Sequence, residues 1–435
     1  MSRTFLIKLL SLIASLSLLE FPLTGGGQAA AEVDLIVGLK LPLHVAPDGT
    51  LLANLSYSNK GGLASPDDTW AKLILPAEVT FVSAVDKEGE PLSPDVVAGN
   101  ELTWVIGALP ADSVWGHIWV TVQLAEGLVE GTRLTFGGEV GSSAAETNLD
   151  NNLIEVSSEV CDMAGSTKQA QSGQVKPGDS LLYTITLQLA ARKGAGETAQ
   201  RMVTLIDELP PAHQVRFLGW ENAPYGILDG NQLRWQGQVR AGEPVKLQYR
   251  LGIEGDVPPG TVITHRARVM WAGGEMELEP VDVQVYLTDD DHMFGPGGGQ
   301  WQHAYGVTID VPPGAVQEMT RFQFRPLFEE NPPEDVPPGW KFAHRAFEMK
   351  AFQFGEIHQF NQPLTITINC PDEIPGLQQH TLRLWYRAGP GEPWAMLGEP
   401  VKHQNGQISF TTDHFTEFAL FGQAGHRVLL PLIKN

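Results

Sequence analysis

Three residues near the carboxyl end, His414, Phe415 and Thr416 in the stretch TTDHFTEFALFG (411–422), are of the types that self-cleaving backbones use. In that chemistry the hydroxyl attacks the carbonyl before it, the histidine moves the proton, and water opens the resulting ester. Here it would cut the Phe415–Thr416 bond. The reaction also needs a distorted peptide held in place by packing. Without that strain the same letters, set between GQISFTT and ALFG, read as the turn into a closing strand, with His414 at its beginning and Thr416, Phe418 and Leu420 on one face.

Acidic stretches offer a second chemistry. SPDD (65–68), NLDNN (148–152) and TDDD (288–291) gather oxygen ligands where a hard cation such as calcium could stiffen a joint. Asp150, Asp289, Asp290 and Asp291 are the candidate ligands. None of these stretches alternates its acids around a glycine as a calcium loop does, so solvated connector acids are the competing reading. Eight of the twelve histidines fall in residues 288–435, without an HExxH or His-x-His spacing that would point to zinc. There is no Gly-x-Ser-x-Gly elbow, phosphate loop or nucleophilic cysteine motif. A non-enzymatic protein is therefore expected, with no cofactor unless calcium binds. Trp220, Tyr225, Trp301 and Trp340 are expected in loops, where aromatic rings either bind sugar or pin the loop to the core.

The elements that must position these residues are strands. The 435 residues are too many for one core, and 46 Gly, 31 Pro and 11 Trp among Val, Ile and Thr favour β structure. Residues 1–31 read as a signal peptide: Arg3 and Lys8, an apolar run, then small residues before a cut after Ala31. No later segment approaches a transmembrane helix. Net charge is −22, and residues 32–160 hold 19 acidic against 5 basic side chains. Such a surface repels nucleic acid and anionic lipid. Cys161 and Cys370 are expected as two separate buried thiols rather than a disulfide framework.

An internal repeat organises the first two-thirds of the chain. APDGTLLANLSYSN (46–59) matches KPGDSLLYTITLQL (176–189), and AKLILPAEVTFVSA (71–84) matches VTLIDELPPAHQVRFLGW (203–220). GNELTW (99–104) matches GNQLRW (230–235), and EGTRLTFGGEV (130–140) matches PGTVITHRARV (259–269). Each block alternates apolar and polar residues between Gly- and Pro-rich turns, the signature of an immunoglobulin-like sandwich. KPGDSLLYTITLQL, VTLIDELPPAHQVRFL and GNQLRW resemble the conserved β-sandwich repeat of bacterial surface proteins, the domain of unknown function numbered eleven. The first copy keeps YSNKG, LPAEVTFVSA and NELTW but lacks an acid equivalent to Asp207. This resemblance implies extracellular spacers, stalks or adhesive arrays, and brings no catalytic residues.

Beyond VYLTDDDHMFGPGGG the texture changes. GVTIDVPPGAV, the PLTITI run, LRLWYR and HFTEFAL resemble the ZU-five class of β-sandwich. Some members of that wider class cut themselves at His-Phe-Ser, where this chain has the more hindered Thr416. The expected organisation is a signal peptide (1–31), immunoglobulin-like repeats at 32–160 and 161–287, a linker at 288–299, a ZU-five-like sandwich at 300–424 and a tail at 425–435. The tail HRVLLPLIKN reads either as a surface-retention tag or as a final edge strand. The expected fold class is all-β, three sandwiches in tandem. The expected function is an exported structural or adhesive protein of the bacterial cell surface, whose partners are a cell-envelope or extracellular protein or a polysaccharide. The alternatives are a self-processing surface protein and a polysaccharide-binding module.

Overall fold

The computed structural model describes residues 32–146, 148–192, 199–328, 331–370, 376–398, 402–404 and 406–424. The expected signal peptide and C-terminal tail lie outside the described residues. The chain is all-β and forms three sandwiches in tandem, each around its own apolar core. No helix among the described residues is long and apolar enough to cross a membrane.

Period-2 alternation makes the strands. Along Ser180–Leu187, every second residue (Leu181, Tyr183, Ile185, Leu187) is buried while those between stay partly exposed. In repeat 1 one sheet orders β1 (Leu35–Lys40), β3 (Thr50–Asn59), β8 (Gly116–Leu124) and β5 (Val79–Val85). The facing sheet orders β2 (His44–Val45), β10 (Leu153–Val160), β9 (Arg133–Gly141), β4 (Trp70–Ile74), β7 (Glu101–Val105) and β6 (Val96–Ala98). Repeat 2 copies this order strand for strand. Its first sheet runs β11 (Thr167–Ala170), β13 (Ser180–Leu187), β18 (Val245–Ile253), β15 (Val215–Asn222). Its second runs β12 (Gln174–Val175), β21 (Val281–Val285), β19 (Val262–Trp271), β14 (Gln200–Glu208), β17 (Gln232–Arg240), β16 (Ile227–Asp229), with β20 (Gly274–Glu277) beside β19. In both copies the second strand pairs parallel with the last, β2 with β10 and β12 with β21.

The third sandwich has a different order. One sheet runs β22 (Asp291–Phe294), β25 (Thr320–Pro326), β26 (Trp340–Phe352), β33 (Glu417–Gln423), β29 (Arg383–Arg387), β30 (Ala395–Met396), with β27 (Glu356–Ile357) beside β26. The other runs β23 (Gly299–His303), β24 (Val307–Val311), β28 (Gln359–Asn369), β32 (Gln407–His414), β31 (Lys402–Gln404). Strand β33 is buried on both faces. Phe418 and Leu420 belong to the main core, while Ala419 and Phe421 pack in a second cluster with Phe342 and Trp394.

Two expectations are corrected. Residues 288–299 are not a free linker: they contain β22 and open β23, so they belong to the third sandwich. Three consecutive acids look solvated in sequence, yet the Asp291 side chain is fully buried. Trp220, Trp301 and Trp340 lie in strands β15, β23 and β26 rather than loops, and Trp301 stacks on His292 at 5.4 Å in the core region. Tyr225 does sit in a turn, 91% exposed.

The sandwiches meet end to end, at opposite ends of the repeat 2 strands. Beyond the end of β13 and at the end of β19, repeat 2 touches repeat 1. There Asp162, itself in repeat 2, accepts from Arg192 at 3.0 and 2.6 Å and from Arg201 at 2.7 Å, and Arg201 also lies 3.8 Å from Glu130 of repeat 1. Arg192 also donates to the Leu128 carbonyl at 2.8 Å, and the Trp271 indole donates to Glu130 at 2.9 Å. Just before β13 begins, repeat 2 touches the third sandwich through Arg321, a buried cation. Arg321 donates to Asp291 at 2.8 Å, to Asp179 at 2.5 Å and to the Pro177 carbonyl at 3.1 Å. Lys176 takes the other Asp291 oxygen at 2.7 Å. Burial pushes the Asp291 carboxyl up, but Lys176, Thr288 and Arg321 outweigh it and leave the group below the usual carboxylate range. Gly178 makes this approach fit, since its φ is +80° and a Cβ there would sit 2.8 Å from the Phe352 carbonyl oxygen.

Removing one partner of a buried ion pair costs about 3–5 kcal/mol, whereas an exposed pair contributes about 0–1 kcal/mol. Arg321→Ala is therefore expected to lower the urea midpoint clearly. Arg325→Ala, which breaks the largely exposed contact to Glu348, should barely move it. Equal shifts for the two variants would show that the joint adds no stability.

Candidate functional site

Asp207 has no acidic counterpart in repeat 1, and the strand register shows what stands in its place. Asp207 of β14 pairs with Leu233 and Ala267, as Leu73 of β4 pairs with Leu102 and Gly138. By the same register Lys168 corresponds to Leu39, Tyr183 to Ala53, Tyr249 to Val120 and His265 to Phe136. Repeat 1 fills these five positions with buried apolar side chains. Repeat 2 fills them with ionisable ones, also buried.

The five groups meet inside the second sandwich, between its two sheets. Lys168 Nζ lies 2.6 Å from Asp207 Oδ1, and neither side chain is exposed to solvent. The Tyr249 hydroxyl donates to Asp207 Oδ2 at 2.5 Å. His265 Nε2 stands 2.7 Å from Asp207 Oδ1 but off the line a hydrogen bond needs, and neither ring nitrogen has a hydrogen-bond partner. The Tyr183 hydroxyl also has none, while its ring stacks on Tyr249 at 5.5 Å and lies 5.7 Å from the Lys168 ammonium.

Burial governs the charges. It pushes the Lys168 ammonium down to about 8, against the pull of Asp207. It raises both tyrosine hydroxyls and lowers His265. It also pushes Asp207 up, but His265 and Lys168 outweigh that and leave the carboxyl below its ordinary range. An amine, a carboxyl group and an imidazole thus share one dry site. The signal for it was in the sequence: an unmatched Asp207 in an otherwise parallel repeat. Lys168 and His265 were missed because each falls in an ordinary strand pattern, and only the register places them opposite Asp207.

The structure disposes the other candidates differently. His414 ends β32, and Phe415 and Thr416 form the turn into the closing strand β33, as the sequence leads one to expect. These two residues turn the corner between β32 in one sheet of the third sandwich and β33 in the other. Phe415 fills the core there, edge-on to Phe322 and Phe360 at 4.8 and 4.7 Å. Thr416 donates its hydroxyl to the Arg387 carbonyl, and its own carbonyl accepts from Met349 N–H at 3.0 Å. His414 faces Asp413 at 2.9 Å, and none of the three residues has a positive φ.

Among the acids, Asp291 is committed to Arg321 and Lys176, and Asp290 lies 3.0 Å from His303. Asp150 and Asp289 are exposed. Among the described residues no group of three or more His, Cys, Asp or Glu side chains is arranged to hold a metal ion.

No family model matches the chain, and no curated protein matches it in sequence. Solved structures that match include the CARDB domain of the PF1109 protein from Pyrococcus furiosus, in complex with di-metal ions. It is 14% identical, covers 32% of this chain and 98% of that one, and has a TM-score of 0.22. The C-terminal domain of the Streptococcus agalactiae AgI/II polypeptide BspA is 12% identical over 57% of this chain and 99% of that one, TM-score 0.22. BcpA, the major pilin subunit of Bacillus cereus, is 12% identical over 58% of this chain and 66% of that one, TM-score 0.20. Likenesses at this level carry no functional argument.

Two outcomes are expected at these residues. With its hydroxyl held by the Arg387 carbonyl, Thr416 leaves the chain whole: intact mass should show no fragment ending at Phe415, in the native protein or in Thr416→Ala. Cys161 and Cys370 are free and buried, and burial pushes both thiols up to about 11. At pH 8 a disulfide-exchange dye should therefore titrate no thiol in the native protein and both after denaturation.

Proposed function

We propose that this chain is an exported structural or adhesive protein of the bacterial cell surface, a non-catalytic spacer that displays its third sandwich. The observation that supports this reading most is the pair of joints at opposite ends of repeat 2. A Gly/Ser-rich connector would let the modules move independently. Here each joint instead has a buried carboxylate with two cations: Asp162 holds Arg192 and Arg201 of its own repeat, which reach the Leu128 carbonyl and Glu130 of repeat 1, and Asp291 is shared by Lys176 of repeat 2 and Arg321 of the third sandwich. Units locked at opposite strand ends transmit position along the chain, which is what a spacer needs. The acidic surface is compatible with an envelope or extracellular partner, protein or polysaccharide, and unsuited to nucleic acid.

Small-angle scattering in solution should give a stiff, elongated particle about three sandwiches long. A compact particle, or a broad distribution of lengths, would overturn the spacer reading. Labelling of intact cells with a membrane-impermeant amine reagent should modify the protein. Labelling only after lysis would overturn surface display.

A further inference from the structure

We propose that the outer end of repeat 1 is a binding site for an uncharged saccharide, seated against the Trp70 indole. Strand β9 starts beside the joint with repeat 2 and ends at Gly141, so Trp70, which pairs with Gly141, stands at the end remote from that joint. There a hollow of about 280 Å³ opens between β4, β9 and the segment leading into β10. Its apolar wall includes Trp70, Leu149 and Leu153, and the two leucines are 65% and 56% exposed. Gly141 shapes this wall. A Cβ there would come 2.7 Å from the indole ring, so a side chain at that position would displace it.

Nothing in the fold requires this opening. By strand register Trp70 corresponds to Thr204 and Gly141 to Met270. In repeat 2 the chain after β19 folds back as β20, and Trp271 and Met276 are buried in the core at that end. The same end of repeat 2 is seated on repeat 1, where Trp271 donates to Glu130. In repeat 1, among the described residues, no strand forms between Gly141 and Leu153, and Leu149 and Leu153 stay exposed. Exposed apolar surface gathered in a concave site, with polar groups fixed around it, marks a place where a ligand binds.

The polar groups select the ligand. Glu139 is held by Lys72 at 3.0 Å, and Glu146 accepts from Leu35 N–H at 2.7 Å and from Asn152 Nδ2 at 3.1 Å. A carboxylate oxygen can accept a further hydrogen bond, so two fixed acceptors line the hollow beside the Ser142 hydroxyl. A ligand there must bring donors. Cationic donors fit poorly, because the Lys72 ammonium already lies against Glu139 and 5.2 Å from the Trp70 ring centre. Anions are repelled by the 19 acidic against 5 basic side chains of residues 32–160. What remains is a neutral molecule with hydroxyl donors and an apolar face. A pyranose ring has both: its hydroxyls meet the carboxylates, and its C–H face meets the indole, whose own face carries partial negative charge. The hollow is close to the lower limit of the range of about 300–1,000 Å³ for small-molecule sites, which suits the end of a glycan chain. This inference deepens the surface reading above by naming the partner's chemistry, and rests on it for contact with a polysaccharide.

The test titrates the purified protein on an array of oligosaccharides ending in uncharged hexoses and N-acetylhexosamines. Sialylated glycans, uronic acid glycans and an oligolysine peptide are placed beside them. At least one uncharged glycan should bind. Trp70→Leu, which keeps apolar bulk but removes the ring, should weaken that binding at least tenfold. Leu149→Glu, at an exposed position outside the core, should weaken it too, so the result does not depend on how Trp70→Leu packs. Tyr225→Ala, in an exposed turn of repeat 2, should leave it unchanged. An array without a bound glycan, or binding that survives both variants of the hollow, would overturn the proposal. So would capture of acidic glycans alone, or of oligolysine and no glycan. Such failures leave the scattering and cell-labelling tests of the surface reading as they stand.

Discussion

A carboxylate taken out of water must be met by a cation, and four buried acids impose that constraint on this molecule. Asp162 holds Arg192 and Arg201 where they reach the Leu128 carbonyl and Glu130 across the first joint, and Asp291 fixes the second through Lys176 and Arg321. Asp207 holds Lys168 within the second core, and Glu417 holds Arg387 at 2.5 Å in the third sandwich. Arg387 in turn reaches Asp335 at 2.6 Å, which anchors the proline-rich loop after residue 330 over the outer face of the sheet. The chain has only 29 Lys and Arg against 51 Asp and Glu. Several of its cations are placed where an acid is sealed from solvent, and the excess acids remain at the surface.

The two repeats form a comparison made within one chain. Their strands have the same order and the same parallel closure, yet five interior positions are apolar in one repeat and ionisable in the other. Topology therefore comes from alternation and turns, which the repeats share, rather than from the polar cluster, which they do not. An apolar interior of similar volume is often as stable as a buried ion pair or more so. The cluster in repeat 2 thus asks for a chemical account that the fold alone does not provide.

The readable part of the sequence was its periodicity. Ser180–Leu187 announces its buried face letter by letter, and the matched blocks announce two copies of one unit. What could not be read was pairing at a distance. Asp291 looks like one of three solvated acids because its partners, Lys176 and Arg321, lie 115 and 30 residues away. Trp301 reads as a loop residue because a short edge strand following PGGG resembles the end of a loop. The His-Phe-Thr stretch reads in sequence as the turn into the closing strand, and it lies there; what alternation does not show is the corner itself. In three dimensions Phe415 fills a corner where the chain changes sheets.

The parallel closure of each repeat has a mechanical meaning. The incoming segment at 43–45 lies beside the outgoing end of β10, with Glu159 N–H donating to the Leu43 carbonyl and Cys161 N–H to the Val45 carbonyl. Repeat 2 does the same, Gln284 N–H donating to Gly173 and Tyr286 N–H to Val175. Tension along the chain pulls two parallel neighbours past each other. It strains their hydrogen bonds together, in shear, instead of peeling them apart one at a time. Because each outgoing strand runs directly into the next module, load arriving from that side meets this small clasp first, whereas load arriving from the incoming side meets β1 or β11 before it.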